Sequence, residues 1–212
     1  MYSIIRYVIF ISLFIICIII LKKHNRLNKK AIVASVIVFV VLLEASFFMP
    51  VENLFVKFPT VESVYRYMGF NNKSIEHIID GEKTAFIADR DNKKQYLRKW
   101  YIILKADDGY KINVGRDESS ISMISECAVS LTTDKRTGDT YIVVTSNEPE
   151  PLVLEDSNNS DFVLTNIDSI FGYEYTAFAG NTVENYRLTV NGTTYKFEKE
   201  INNIFKMVPV QD

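Results

Sequence analysis

Two cysteines, two histidines and eight glycines in 212 residues leave little material for several common chemistries. Cys17 falls inside an apolar run and Cys127 lies far downstream, so the two are not expected to meet and no internal disulfide is available. That fits a bacterial cell surface better than an animal one, since a region of this size folds without a disulfide. His24 sits in a basic stretch as a solvated residue, and His77 is the only histidine after residue 50. A site with two or more histidine ligands is excluded unless subunits share it, as is zinc held by several cysteines. No G-x-S-x-G elbow, Walker loop or dinucleotide fingerprint is present, and the glycines fall mostly at expected turns. A Cys127–His77 dyad exists on residue type alone. However, SMISECAVSL makes Cys127 a small buried apolar residue, and SIEHIID makes His77 a helix surface residue. The acids at Asp89 and Asp91 and at Glu155, Asp156 and Asp161 lack EF-hand spacing and read as solvated turns. No catalytic residue is assigned, and no cofactor or metal is expected.

Long apolar runs are abundant at one end only. Residues 4–21 (IIRYVIFISLFIICIIIL) and 31–49 (AIVASVIVFVVLLEASFFM) are each long enough to cross a hydrocarbon core of roughly 30 Å. The roughly 14 Ile, Leu, Phe and Val of the first run favour insertion by about 4 to 8 kcal/mol, which the single Arg6 does not cancel. Neither run keeps the polar face of a helix packed on a core. Lys22 and Lys23 follow the first run with no small-residue cleavage pattern, so it does not read as a signal peptide. The sequence therefore predicts a transmembrane helical hairpin over residues 1–49. Its turn, residues 22–30, carries Lys22, Lys23, Arg26, Lys29 and Lys30 without an acid, which assigns that turn to the cytoplasmic side. The same cluster suits anionic lipid. Both ends of the hairpin are then outside the cell membrane.

Two charges lie within the runs. Glu44 falls roughly 6 Å past the middle of the second run, at a depth where a charge needs a partner. Folding the chain about Arg26 brings Glu44 level with about residue 8, within one helical turn of Arg6. An Arg6–Glu44 ion pair is one expectation. The other is that Arg6 snorkels to the headgroups while Glu44 is protonated or faces another protein.

Residues 50–59 read as a connector and residues 60–212 as an α+β, mainly antiparallel β, extracytoplasmic domain, sandwich-like or a partly closed barrel. Its net charge of roughly −7 excludes a nucleic-acid binder. Thr60 is placed to cap a helix whose apolar face is Val61, Val64, Tyr65 and Met68, with Gly69 ending it. A second short helix is expected over Ser74–Ile79. Hairpins are expected at Asp108-Gly109, at Arg136–Asp139 and, most strongly, at Asn191-Gly192. Further strands are expected at Thr84–Ala88, Pro151–Leu154, Phe162–Thr165 and Ile170–Ala177, and Glu155–Asp161 reads as the most mobile loop.

These features predict a membrane-anchored, non-enzymatic binding module at the cell surface. Its partners are the lipid bilayer and another membrane or envelope protein. An accessory subunit of a membrane complex, held through the hairpin, and an envelope hydrolase using carboxylates are the alternatives.

Overall fold

The computed structural model describes residues 2–24, 28–48, 50–69, 73–91, 94–114, 117–124, 127–168, 172–181, 185–199 and 205–210. The chain divides into two compact units, Met1–Asn71 with Asp107–Gly115, and Asn72–Ala106 with Arg116–Asp212.

The first unit begins with helices α1 (Tyr2–Lys23) and α2 (Lys29–Phe48), which fold back on each other with the Phe14 and Phe39 rings 4.9 Å apart. The Asn28 side chain starts α2 by accepting the Ala31 amide at 2.8 Å. The hydroxyls within the helices are turned onto their own backbone, Ser12 onto Val8 O at 2.7 Å and Ser46 onto Leu43 O at 2.6 Å. Both expected segments are thus helical. Among the described residues, however, no helix is long and apolar enough to cross a membrane. The expectation of two transmembrane spans is therefore not supported by the described helices. In α2, Lys29 and Lys30 at one end and Glu44 near the other confine the uninterrupted apolar run to Ala31–Leu43, about 20 Å of helix.

Residues 50–59 are not a bare tether. A 3-10 turn at Val51–Leu54 presents Asn53, whose amide donates to Ile112 O at 2.8 Å and whose oxygen accepts the Ile112 amide at 2.9 Å. Phe58 and Tyr110 exchange backbone hydrogen bonds, and Lys57 pairs with Asp108. Gly109 adopts φ +141, and a Cβ there would lie 2.4 Å from Phe58 O, so only glycine fits this approach. Helix α3 (Val61–Tyr67) starts at a capping box between Thr60 and Ser63, buries Val61, Val64 and Tyr65, and is followed by Gly69 at φ +96, as its sequence predicts.

The second unit is built of three antiparallel sheets. Strands β1 (Lys73–Asp80), β2 (Thr84–Asp91) and β3 (Lys94–Ala106) pair in that order; β4 (Gly109–Lys111) belongs to the first unit. The break between β3 and β4 falls where the sequence places a turn. A five-stranded sheet has the order β5 (Asp117–Ile124), β6 (Cys127–Asp134), β7 (Thr140–Ser146), β10 (Gly172–Gly180) and β9 (Val163–Asp168). A third sheet runs β13 (Phe205–Pro209), β12 (Thr193–Lys199), β11 (Arg187–Val190) and β8 (Leu154–Asp156). Among the described residues none of the sheets closes into a barrel, and the expectation of a mainly antiparallel, β-rich α+β unit stands.

The five-stranded sheet is the middle layer. One face packs Val129, Leu131, Ile142, Val144 and Ala177 against Leu188, Val190, Phe197 and Met207 of the third sheet. The other packs Tyr141, Val143 and Phe178 against Ile79, Phe86 and Ile102 of the first. Strand β7 is buried on both faces, which is why its central YIVV runs without alternation.

The expected helix at Ser74–Ile79 is instead part of β1. A bulge between Ile75 and His77 inserts an extra residue, so Ile75, Ile78 and Ile79 mimic helical spacing along a strand. The hairpins at Asp134–Thr140 and at Asn191-Gly192 form as expected, the latter with φ +48 and +85 at its two central residues. Strand β8 begins at the last residue of its expected segment. Strands β5 and β13 were not anticipated.

Candidate functional site

The ends of β1 and β10 and the loop after β8 enclose an open groove of about 430 Å³. It is lined by the apolar Ile79, Val163 and Phe178 and by the polar Asp80, Asn158, Ser160 and Asp161. Three local devices hold these residues. Asp139 accepts the backbone amides of Lys83 and Thr84, each at 2.8 Å, and the Thr84 hydroxyl at 2.7 Å, pinning the β1–β2 turn to the middle sheet. The Tyr141 hydroxyl closes this contact 2.7 Å from Thr84 Oγ1, and burial pushes its phenol well above the ordinary value. A Cβ on Gly81 would lie 2.4 Å from the Tyr141 hydroxyl oxygen, so the turn approaches the sheet only as glycine.

The loop is held by Asp156. One carboxylate oxygen accepts the Asn158 and Ser160 amides at 3.1 and 2.7 Å, and the other accepts the Tyr186 hydroxyl at 2.6 Å. Asn158 and Ser160 then donate to Ala179 O and Phe178 O at 2.7 and 2.9 Å, fastening the loop to the end of β10. The stretch expected to be the most mobile is therefore tied at both levels. Asp156 is no solvated turn acid, and neither is Asp89, which is fully buried on β2. Lys105 Nζ lies 2.8 Å from both Asp80 Oδ1 and Gly81 O, offsetting one of the two carboxylates that line the groove. The groove thus offers apolar side chains together with hydrogen-bond acceptors, an arrangement suited to a polyhydroxylated or cationic group.

Comparison with known proteins finds no matching family model, no similar curated protein and no similar solved structure.

Behind the groove, the first and middle sheets enclose a polar layer. Glu76 and Arg90 form an ion pair at 2.6 Å, His77 Nδ1 lies 3.3 Å from Thr165 Oγ1, and Glu174 is 1% exposed. Cys127 is buried on the opposite face of the middle sheet, among the residues packed on β11 to β13. The sheet separates it from His77, so the dyad is ruled out. Among the described residues, no group of three or more His, Cys, Asp and Glu is placed to hold a metal ion.

In the helical unit, Lys22, Lys23, Lys29 and Lys30 are exposed at the neighbouring ends of α1 and α2, and Glu44 is exposed on α2. Arg26 and the side chain of Arg6 lie outside the described residues, and with them the Arg6–Glu44 pair. An apolar groove of about 400 Å³ runs between the two helices. Sequence reasoning missed both grooves. The only signal for the first was Asp156 followed at two and four residues by Asn158 and Ser160, the spacing of an Asx-type knot.

Proposed function

We propose that the chain is a membrane-anchored binding module, with α1 and α2 in the bilayer, the turn at residues 22–30 on the cytoplasmic side, and the sheets outside. The observation that carries this reading is the outward apolar surface of the hairpin. Ile15, Ile19, Val33, Ile37 and Val41 are each between 52% and 59% exposed, and exposed apolar side chains continue around every face that the partner helix leaves open. A soluble monomer does not leave so large a contiguous apolar surface in water. The 22 and 20 residues of α1 and α2 extend about 33 and 30 Å, although Lys29, Lys30 and Glu44 shorten the apolar run of α2. Spanning by α2 requires that Glu44 be accommodated in the outer leaflet. The Phe14–Phe39 contact sets a register that puts Glu44 level with Ile9, within one helical turn of Arg6. That supports the Arg6–Glu44 pair proposed from the sequence.

The groove lined by Asp80, Asn158 and Asp161 is the proposed binding site of the outer unit, for a hydroxyl-rich or cationic envelope component. Membranes carrying the full chain should retain it through an alkaline carbonate wash, and protease added to spheroplasts should digest the sheets. Release by the wash, or protection of the sheets, would overturn the reading. The exposure of Glu44 favours a second role, contact with a partner membrane protein. In that case Glu44→Ala should lose a partner that the wild-type chain retains on pull-down from native membranes.

A further inference from the structure

The hairpin groove is placed and shaped for a single lipid chain. Phe14, Cys17 and Leu21 line it from α1, and Ala34, Ser35 and Phe39 line it from α2. Ala34 and Ser35 are the small residues that open the space, since larger side chains there would fill it. The groove reaches from Leu21, next to Lys22 and Lys23, to Phe10 and Leu42 at its far end. The twelve residues of α1 from Phe10 to Leu21 cover about 17 Å, close to one leaflet of a hydrocarbon core roughly 30 Å thick. A transmembrane helix needs a seam along the whole core, whereas an acyl chain needs one leaflet. At the mouth, Ala34 is one turn from Lys30, and Lys22, Lys23, Lys29 and Lys30 are exposed at the adjoining helix ends.

We infer that the groove holds one acyl chain of an anionic phospholipid from the cytoplasmic leaflet, with its phosphate on the lysines of the turn. This rests on the membrane reading above. Apolar length match positions the chain, and positive charge selects the headgroup, at about 1 kcal/mol per lysine.

The test uses the full chain reconstituted in phosphatidylcholine nanodiscs with and without phosphatidylglycerol, released into the gas phase for native mass spectrometry. One phosphatidylglycerol should be retained in preference to phosphatidylcholine. Ala34→Leu with Ser35→Leu should lower that retention roughly tenfold. Each of Lys22→Gln and Lys30→Gln should lower the preference for phosphatidylglycerol about fivefold while a lipid is still carried. Unchanged retention in the groove-filled variant would overturn the inference. So would efficient oxidative Cys17–Cys17 crosslinking between copies in the membrane, because a second chain would then occupy the groove. A chain that stays in carbonate-washed membranes yet carries no phosphatidylglycerol defeats this inference alone. One that washes off defeats the membrane reading as well.

Discussion

In α1 and α2 the large apolar side chains face outwards, and in the three sheets they face inwards. Among the described residues, nine such side chains of α1 and eight of α2 are exposed, whereas in the sheets and their loops only Trp100, Ile121, Met123, Val153, Val163 and Leu164 are. The contrast is sharpest between α1 and the YIVV core of β7, since neither alternates apolar with polar residues. A strand satisfies its backbone only by lying between other strands, so β7 is enclosed by β6 and β10 at its edges and by the other two sheets on its faces. A helix satisfies its own backbone, which leaves its sides free to meet a non-aqueous solvent. Similar composition therefore implies opposite surroundings, and the two regions should answer opposite kinds of substitution.

The largest effect is expected inside the sheets. Phe86 is fully buried and stacks on Tyr141 at 4.9 Å, so Phe86→Ala should cost about 3–5 kcal/mol in urea denaturation followed by circular dichroism. Retention of the chain in washed membranes should not change. A smaller loss would mean that the contact between the first and middle sheets is looser than the packing implies. The hairpin should reverse this logic. Ile37 is 58% exposed, and in water Ile37→Asp is a surface change worth less than about 0.5 kcal/mol. In a bilayer the same change costs about 2.5–3.5 kcal/mol, enough to shift much of the protein out of the carbonate-washed membrane fraction. Full retention of Ile37→Asp would erase the distinction between the two regions.

Legibility in the sequence followed how locally each feature is determined. The Thr60 cap, the Asn191-Gly192 turn and the two long helices each depend on residues within a few positions, and all were readable. Strand β1 was misread because its bulge breaks the period of two, a fact visible only against β2. Strand β5 alternates serine with Ile121 and Met123, and those two remain exposed in the fold, so burial gave no signal to read. The candidate groove was illegible for a similar reason. Asp80, Asn158 and Phe178 are far apart in sequence and converge only because Asp139 and Asp156 pin two turns to one sheet. The Cys127–His77 dyad, which the local sequences already disfavour, is excluded by the middle sheet between them.

The smallest expected effect concerns a charge on the edge of that sheet. Asp117 opens β5 directly across from Asp134, whose side chain is committed to the next turn by accepting from Arg136 N, Thr137 N and Thr137 Oγ1. Crowding around the Asp117 carboxyl, and secondly the charge of Asp134, raise it from 3.8 to about 6, with Arg136 opposing. The residue as a whole is still exposed, which limits how much of that rise appears as stability. A group that holds its proton more tightly when folded stabilises the fold fully below its unfolded value. That contribution is lost as pH rises through about 6. Asp117→Asn should therefore raise Tm above wild type at about pH 7, and the gap should close as pH falls towards about 4. A gap that stayed constant over that range would show that the Asp117 carboxyl is not raised in the folded chain. The hairpin, whose exposed surface is apolar in this region of contrast, should show no matching pH dependence in membrane retention of the same variant.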